Sequence, residues 1–201
     1  MPEVREPKNT NSTDKKKRIT EDGLKIFGER GYYKASTAEI AKETGVSLDI
    51  VYRCFRDKKN IFSKSIQLYF SEILNHINEY MATAEYKTDN LCYIIENLVR
   101  SAISSNFKNA IVNEEIIVMS HLDDEVHELF MAEKKKIMDA LKDFLIKNNV
   151  SILNLEERTH IAYNLIETLC REYVYRRHEH IDYENMIRET LRIIYYLFEI
   201  S

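Results

Sequence analysis

The sequence predicts an all-α protein, with a small N-terminal helical head joined to a larger helical body, and three observations lead there. Proline and glycine are nearly missing from most of the chain: Pro2 and Pro7 lie at the N-terminus, and Gly45 is the last of 4 glycines. Sheets closed by tight glycine turns are therefore disfavoured, and long helices joined by Asn, Asp and Ser turns are the natural solution. Apolar residues then recur at helical rather than alternating spacing along nearly the whole length. Finally, the net charge of −4 conceals a polarity, because residues 1–70 hold 15 Lys and Arg against 10 Asp and Glu, and residues 71–201 hold 14 against 23. A basic head on an acidic body fits a part that meets a polyanion and a part that does something else.

The elements follow in order. Residues 1–13 are polar, carry both prolines, and read as a flexible tail. The run Lys15–Lys16–Lys17–Arg18 leads into an amphipathic helix with Ile19, Leu24, Ile26 and Phe27 on its apolar face and Gly31 as its stop. "STAE" places Glu39 three residues after Ser36, the spacing of a capping box, and opens a second helix that Gly45 ends. Ser47 caps a third helix whose inner side is Ile50, Val51, Cys54 and Phe55. A long helix follows to about Met81, and five more are expected over about 88–107, 110–119, 123–148, 155–179 and 183–199. The domain boundaries expected are a tail over 1–13, a head over 14–60 and a body over 61–201.

Composition excludes several classes. A hydrophobic content of 44% and a charged content of 31% are those of a soluble globular chain. No apolar run approaches the roughly 18 residues of a membrane span, and the charged N-terminus is unlike a secretory signal. Cys54, Cys92 and Cys170 are odd in number and widely spaced, which argues against a disulfide framework or zinc site and for a cytoplasmic location. The glycine and serine fingerprints of nucleotide-binding and hydrolase sites do not occur, so no catalytic residue and no cofactor is expected.

Within the head, Ala41, Gly45, Val46 and Val51 stand where a helix-turn-helix needs a small contact residue, a turn glycine and locking apolar groups. The surrounding pieces are "GLKIFGERGYYKAS" (Gly23–Ser36), "EIAKETGVS" (Glu39–Ser47) and "IVYRCFRDKKNIF" (Ile50–Phe62). Together, Ile19 to Phe62 resembles the N-terminal domain of the TetR family of bacterial transcriptional regulators, over roughly a fifth of the chain. The resemblance implies a helix-turn-helix DNA-binding head, a homodimer, a double-stranded palindromic operator, and release by a small-molecule effector held in the body.

Site residues follow from that resemblance and from the chemistry of each side chain. Ser36 and Thr37 open the second helix, where hydroxyls and backbone N–H groups can hold a phosphate, although Ser36 also reads simply as a cap. Ser47, at the start of the third helix, joins the same set. Tyr52 and Lys58 match the tyrosine and lysine that the resembling proteins set on the DNA backbone. The alternatives are a half-buried Tyr52 and a solvated Lys58. Base reading is expected from Leu48, Asp49 and Arg53, with help from Thr37. Asp49 departs from the small residue usual there. Pairing with Arg53 or starting the helix ranks ahead of accepting from a cytosine amino group. Cys54 departs from the aromatic or His that is commoner at its place. The Lys15–Arg18 run reads either as a contact to a neighbouring phosphate or the minor groove, or as a solvated stretch before a helix.

The body offers less. Phe107, Met119, Phe130, Met131 and Tyr163 are candidates to line a site for a small apolar or aromatic effector, although Met and aromatic residues at helical spacing more often form core. Leu165, Leu169, Leu191, Ile194 and Phe198 on the last two helices are candidates for the homodimer interface, against the alternative that they pack within one chain. "HLDDEVH" and "RRHEH" have spacings that invite metal readings. The first sits at a helix start and the second at a helix end, where acids and cations respectively are favoured anyway, so no metal is expected. Two further readings stand beside the regulator: an architectural or effector-independent DNA-binding protein of the same fold, and an all-α enzyme or metal protein.

Overall fold

The computed structural model describes residues 10–83, 91–148, 150–175 and 177–199, and over these the protein is helical without a strand. Nine helices run in order among the described residues: α1 (Thr10–Arg30), α2 (Thr37–Thr44), α3 (Leu48–Cys54), α4 (Lys58–Thr83), α5 (Leu91–Lys108), α6 (Ala110–Leu122), α7 (Asp124–Lys147), α8 (Leu155–Tyr175) and α9 (Tyr183–Leu197). They form two compact units, one of Met1–Ser71 with Ile111–Phe130 and one of Glu72–Ala110 with Met131–Ser201. The helix α1 begins at Thr10, ahead of the lysine run that marks its expected start.

In the first unit α1 packs on both α2 and α3. Ile19, Ile26 and Phe27 are buried and Leu24 half-buried. Phe27 meets Phe62 of α4 edge-on at 5.0 Å, and Tyr32 joins them, 4.9 Å from Phe62. Gly23 is what lets α1 and α4 touch, because a Cβ there would come within 2.9 Å of the Ile61 Cγ2. Gly31 ends α1 in the left-handed region at φ 76°, and its N–H donates to the Phe27 carbonyl.

The α2–α3 turn is built from local rules. The Ser36 hydroxyl accepts from the Glu39 N–H, while the Glu39 carboxylate accepts from the Ser36 N–H, so the expected capping box is complete. Gly45 takes φ 68° and closes α2 back onto the Ala41 and Lys42 carbonyls. Ser47 caps α3 by accepting from the Ile50 N–H. Val51 and Phe55 are buried at 0% and 2% exposure, as their spacing predicts, and Val46 is half-buried.

The second unit has its core between α5, α8 and α9, with Leu145 of α7 contributing. Val99, Leu169, Leu191 and Ile194 are among its most deeply buried members. Polar ties cross the same helices. The Tyr195 hydroxyl donates to the Cys92 carbonyl at 2.9 Å, and Arg100 pairs with Glu184 at 3.1 Å. Lys134, nearly buried, pairs with Glu167 at 2.7 Å and lies over the Tyr163 ring. No described helix is long and apolar enough to cross a membrane.

Candidate nucleic-acid interface

The exposed side of α3 begins with the cap at Ser47. With Val51 turned inward, residues 48, 49, 52 and 53 are left on the opposite face. Leu48 is 41% and Tyr52 52% exposed, and the side chains of Asp49 and Arg53 are mostly in solvent. Arg53 Nε donates to Asp49 Oδ2 at 2.9 Å, and Arg53 Nη2 donates to the same oxygen. The carboxylate raises the Arg53 pKa above its ordinary value through these hydrogen bonds first and its charge second. The intrahelical pairing ranked first for Asp49 is thus present, and no acid on this face stands uncompensated.

The start of α2 lies beside this face. Thr37 Oγ1 and the Tyr52 hydroxyl share a hydrogen bond of 3.0 Å, linking the first turn of α2 to the outward side of α3. Around Ser36 the charges are neutralised locally: Glu39 pairs with Arg30 at 2.7 Å, and its pKa is lowered, chiefly by its hydrogen bonds with Ser36. The Ser36 hydroxyl is itself engaged, donating to Glu39 Oε2 at 3.0 Å. The α2 N-terminus therefore offers the partial positive charge of its backbone together with the Thr37 hydroxyl at one place on the surface.

Lys58 differs from the solvated charge that was its alternative reading. Its ammonium donates to the Tyr32 carbonyl at 2.8 Å and the Ala35 carbonyl at 3.0 Å, and it stands 4.4 Å over the Tyr32 ring. It is therefore not a solvated charge, and two of its three N–H donors hold the loop that carries Ser36. The basic run at the start of α1 divides as well. Arg18 donates to the Thr44 carbonyl at 2.7 Å, at the end of α2, and Lys16 stands 5.6 Å over the Phe55 ring. Lys17 is exposed beside Glu21. The half-buried Cys54 lies at the end of α3.

One group was missed by sequence reasoning. Lys59 Nζ bridges Asp123 at 2.9 Å and Glu125 at 2.8 Å within the first unit. Its pKa is raised by the hydrogen bonds it donates to Glu125 first and Asp123 second, and the Asp123 carboxyl is held below its ordinary value mainly by Lys59. Asp123 also accepts from the Val126 N–H at 3.2 Å, capping α7. Both oxygens of this acid in "HLDDEVH" are thus engaged by the protein itself. In "RRHEH", Glu172 pairs with His178, whose ring lies 5.6 Å from that of His180.

The body residues are placed unevenly. Met119 is buried and Phe130 half-buried against Phe70, both in the first unit. Met131, 43% exposed, and the half-buried Tyr163 belong to the second. The Phe107 side chain lies outside the described residues. Of the interface candidates, Leu169, Leu191, Ile194 and Phe198 are buried in their own chain's core, where α5 and the facing helices already cover them. Only Leu165 remains half-open, and the large apolar residues exposed on these two helices are Ile161, Ile193 and Tyr196.

Residues 19–64 match the sequence profile of the bacterial regulatory proteins of the tetR family. A search among curated proteins gives no match. The chain is similar in fold to a protein from Mesorhizobium loti described as a TetR-family transcriptional regulator, with a TM-score of 0.75 and 15% identity over 98% of each chain. It is similar also to FadR from Bacillus halodurans, a fatty acid degradation regulator, with a TM-score of 0.67 and 15% identity over 96% of each chain. A transcriptional regulator from Saccharomonospora viridis in complex with choline aligns with a TM-score of 0.69 and 14% identity, over 90% of this chain and 96% of the other.

Proposed function

From the premise that this chain carries the N-terminal domain of the TetR family of bacterial regulators on the fold of that family's transcriptional regulators, we propose that it is a transcriptional repressor of the cytoplasm. It binds a palindromic operator as a homodimer and is released by a small molecule that enters the body. The observation that carries the reading is the outward face of α3. Leu48, Asp49, Tyr52 and Arg53 are exposed together on a helix whose other side is locked by Val51 and Phe55, and the Thr37–Tyr52 hydrogen bond sets that face beside the α2 N-terminus.

Each part of this interface has its own task. The α2 N-terminus, with Ser36, Thr37 and the Tyr52 hydroxyl, takes the DNA backbone, and Ser47 fixes the start of the reading helix. Leu48 and Arg53 reach base edges, Leu48 against a thymine methyl and Arg53 against guanine. Lys58 contributes chiefly by positioning, since it anchors the loop before Ser36. In a two-fold dimer the two α3 helices enter successive major grooves roughly 34–36 Å apart. The pairing surface is the outer side of α8 and α9, where Ile161, Leu165, Ile193 and Tyr196 are available.

Release follows from geometry. Both half-sites must be engaged together for tight binding, so a ligand that favours a different separation of the two heads removes the advantage of simultaneous contact. The choline and fatty acid degradation of two structural neighbours belong to those proteins; the effector proposed here is a small apolar or aromatic molecule. Gel-shift titration on the DNA flanking the protein's own gene tests the proposal. Salt-sensitive, palindrome-dependent binding is the expected result, and indifference to sequence on all of that DNA sinks it.

A further inference from the structure

Asp49 and Arg53 stand one helical turn apart on the face proposed to meet DNA, and their geometry says how that face selects bases. A guanidinium has five N–H donors. Arg53 uses its Nε edge on Asp49: Nε donates to Oδ2 at 2.9 Å, and Nη2 donates to the same oxygen. The two hydrogens of Nη1 and the second of Nη2 remain, and they form the end-on edge of the fork. Both side chains are otherwise in solvent, at 73% and 69% exposure, so this edge is open to a ligand.

The pair is badly suited to a phosphate. Its charge is neutralised from within, and an approaching phosphate meets the Asp49 carboxylate as well as the guanidinium. The counterion release that drives phosphate contacts is correspondingly small. Directional hydrogen bonding survives the neutralisation. Two donors side by side on a fork of fixed direction match the N7 and O6 acceptors that guanine presents in the major groove. Asp49 still has Oδ1 as an acceptor. Beside the fork it can take an amino group, from cytosine N4 or adenine N6, and it repels the carbonyl edges of thymine and guanine.

We propose that Asp49 is a specificity-determining residue: it holds Arg53 end-on to one G·C pair in each half-site, and its free oxygen restricts the adjoining base to one bearing an amino group. The inference rests on the regulator reading above and deepens it, since it names what the reading face recognises. Asp49 in this role is a positioning residue for Arg53 as well as a contact of its own. Its removal therefore strengthens indiscriminate binding rather than weakening binding altogether.

Selection from a randomised DNA library by the full-length protein, followed by titration on single-base variants of the selected site, is the test. The wild type is expected to disfavour replacement of the guanine by about 5- to 150-fold, the range of one bidentate contact. Asp49→Ala is expected to bind non-specific DNA more tightly, with a slope of log affinity on log salt steeper by about one, as Arg53 turns to a phosphate. Its discrimination at the guanine should shrink to a few-fold, and Asp49→Asn should lose the repulsion of thymine at the adjoining base. Arg53→Ala should lose the guanine preference outright. If Asp49→Ala keeps the wild-type preference at every position and the wild-type salt slope, Asp49 merely starts a helix and the inference is overturned alone. If the wild type selects no sequence at all, the regulator reading falls and takes the inference with it.

Discussion

The Thr37 and Tyr52 hydroxyls lie 3.0 Å apart, so the first turn of α2 is joined to the outward face of α3 by a contact between two residues 15 positions apart. Both groups are open to solvent, and the link adds little to stability, because a solvated hydroxyl pair exchanges water for itself. Its effect is on direction, since it fixes the Tyr52 ring against the α2 N-terminus. Tyr52→Phe is expected to leave the melting temperature nearly unchanged and to weaken DNA binding by about 2- to 12-fold, the value of a net 0.5–1.5 kcal/mol hydrogen bond. The loss should be equal on specific and non-specific DNA, which fluorescence anisotropy on both will check.

Lys58 should behave in the opposite way. Its two carbonyl partners, Tyr32 and Ala35, lie 26 and 23 residues back, in the loop that delivers Ser36 to the surface. Charge-assisted bonds of this kind contribute more than neutral ones. Lys58→Met is expected to destabilise the protein by about 1–2 kcal/mol in urea titration. The salt slope of DNA binding should change by less than the value of about 0.9 that one lost phosphate contact produces.

Those two residues mark the division between what was legible in the sequence and what was not. The capping box of Ser36 and Glu39, the Gly45 stop and the inward pair Val51 and Phe55 are decided within one or two helical turns, so spacing alone reveals them. Asp49 and Arg53 are likewise four apart on one helix, and their pairing was legible for that reason. Lys58 and Lys59 find partners far along the chain, and both partners of Lys58 are backbone carbonyls, which carry no sequence signature. The last two helices failed in another way. Their wide apolar arcs announce burial, but periodicity does not say whether the same chain or a second one does the covering. Leu169, Leu191, Ile194 and Phe198 were covered from within.

The Lys59 cluster gives the first unit a definite pH response. Asp123 has its carboxyl held below the ordinary value, so its contribution is present above the unfolded pKa of about 4 and is lost as pH falls through the folded one. Lys59 has its pKa raised, so its share is present below the unfolded value of about 10.4 and disappears only as pH rises through the folded one. Between those limits the cluster contributes a plateau. Lys59→Met should lower the melting temperature on the plateau and flatten the acid limb of its pH dependence, as read by circular dichroism from pH 3 to 9. An acid limb identical to that of the wild type would show that Asp123 is held by its place at the α7 start alone.

Cys170 is 1% exposed, and burial pushes its thiol pKa up to about 12. At pH 8 its thiolate fraction is on the order of one in ten thousand, and the thiolate is the species that reacts. In the native protein Cys170 should resist a disulfide reagent, while denaturant should expose all three thiols counted in the sequence. Mass spectrometry after brief alkylation at pH 8 will identify the protected position. Because Cys170 sits in the core of α5, α8 and α9, its labelling rate doubles as a measure of how often that core opens.

The proposed pairing surface can be separated from the core on the same helix. On α9, Leu191 and Ile194 face inward at 4% and 1% exposure, whereas Ile193 and Tyr196 face outward at 48% and 83%. A change on the inner side should act on the chain itself: Leu191→Ala leaves a cavity and is expected to cost about 2–5 kcal/mol of stability. A charge on the outer side meets only solvent in the monomer but an apolar partner in a two-fold pair, where the same residue is presented twice. Ile193→Lys with Tyr196→Glu should therefore leave the helical circular dichroism spectrum intact and convert a dimer to a monomer in sedimentation velocity. With the dimer lost, affinity for a two-half-site operator should fall by orders of magnitude while affinity for a single half-site stays as it was, because only the simultaneous contact has been removed. A double variant that remains dimeric would place the pairing surface elsewhere than on the outer side of α9.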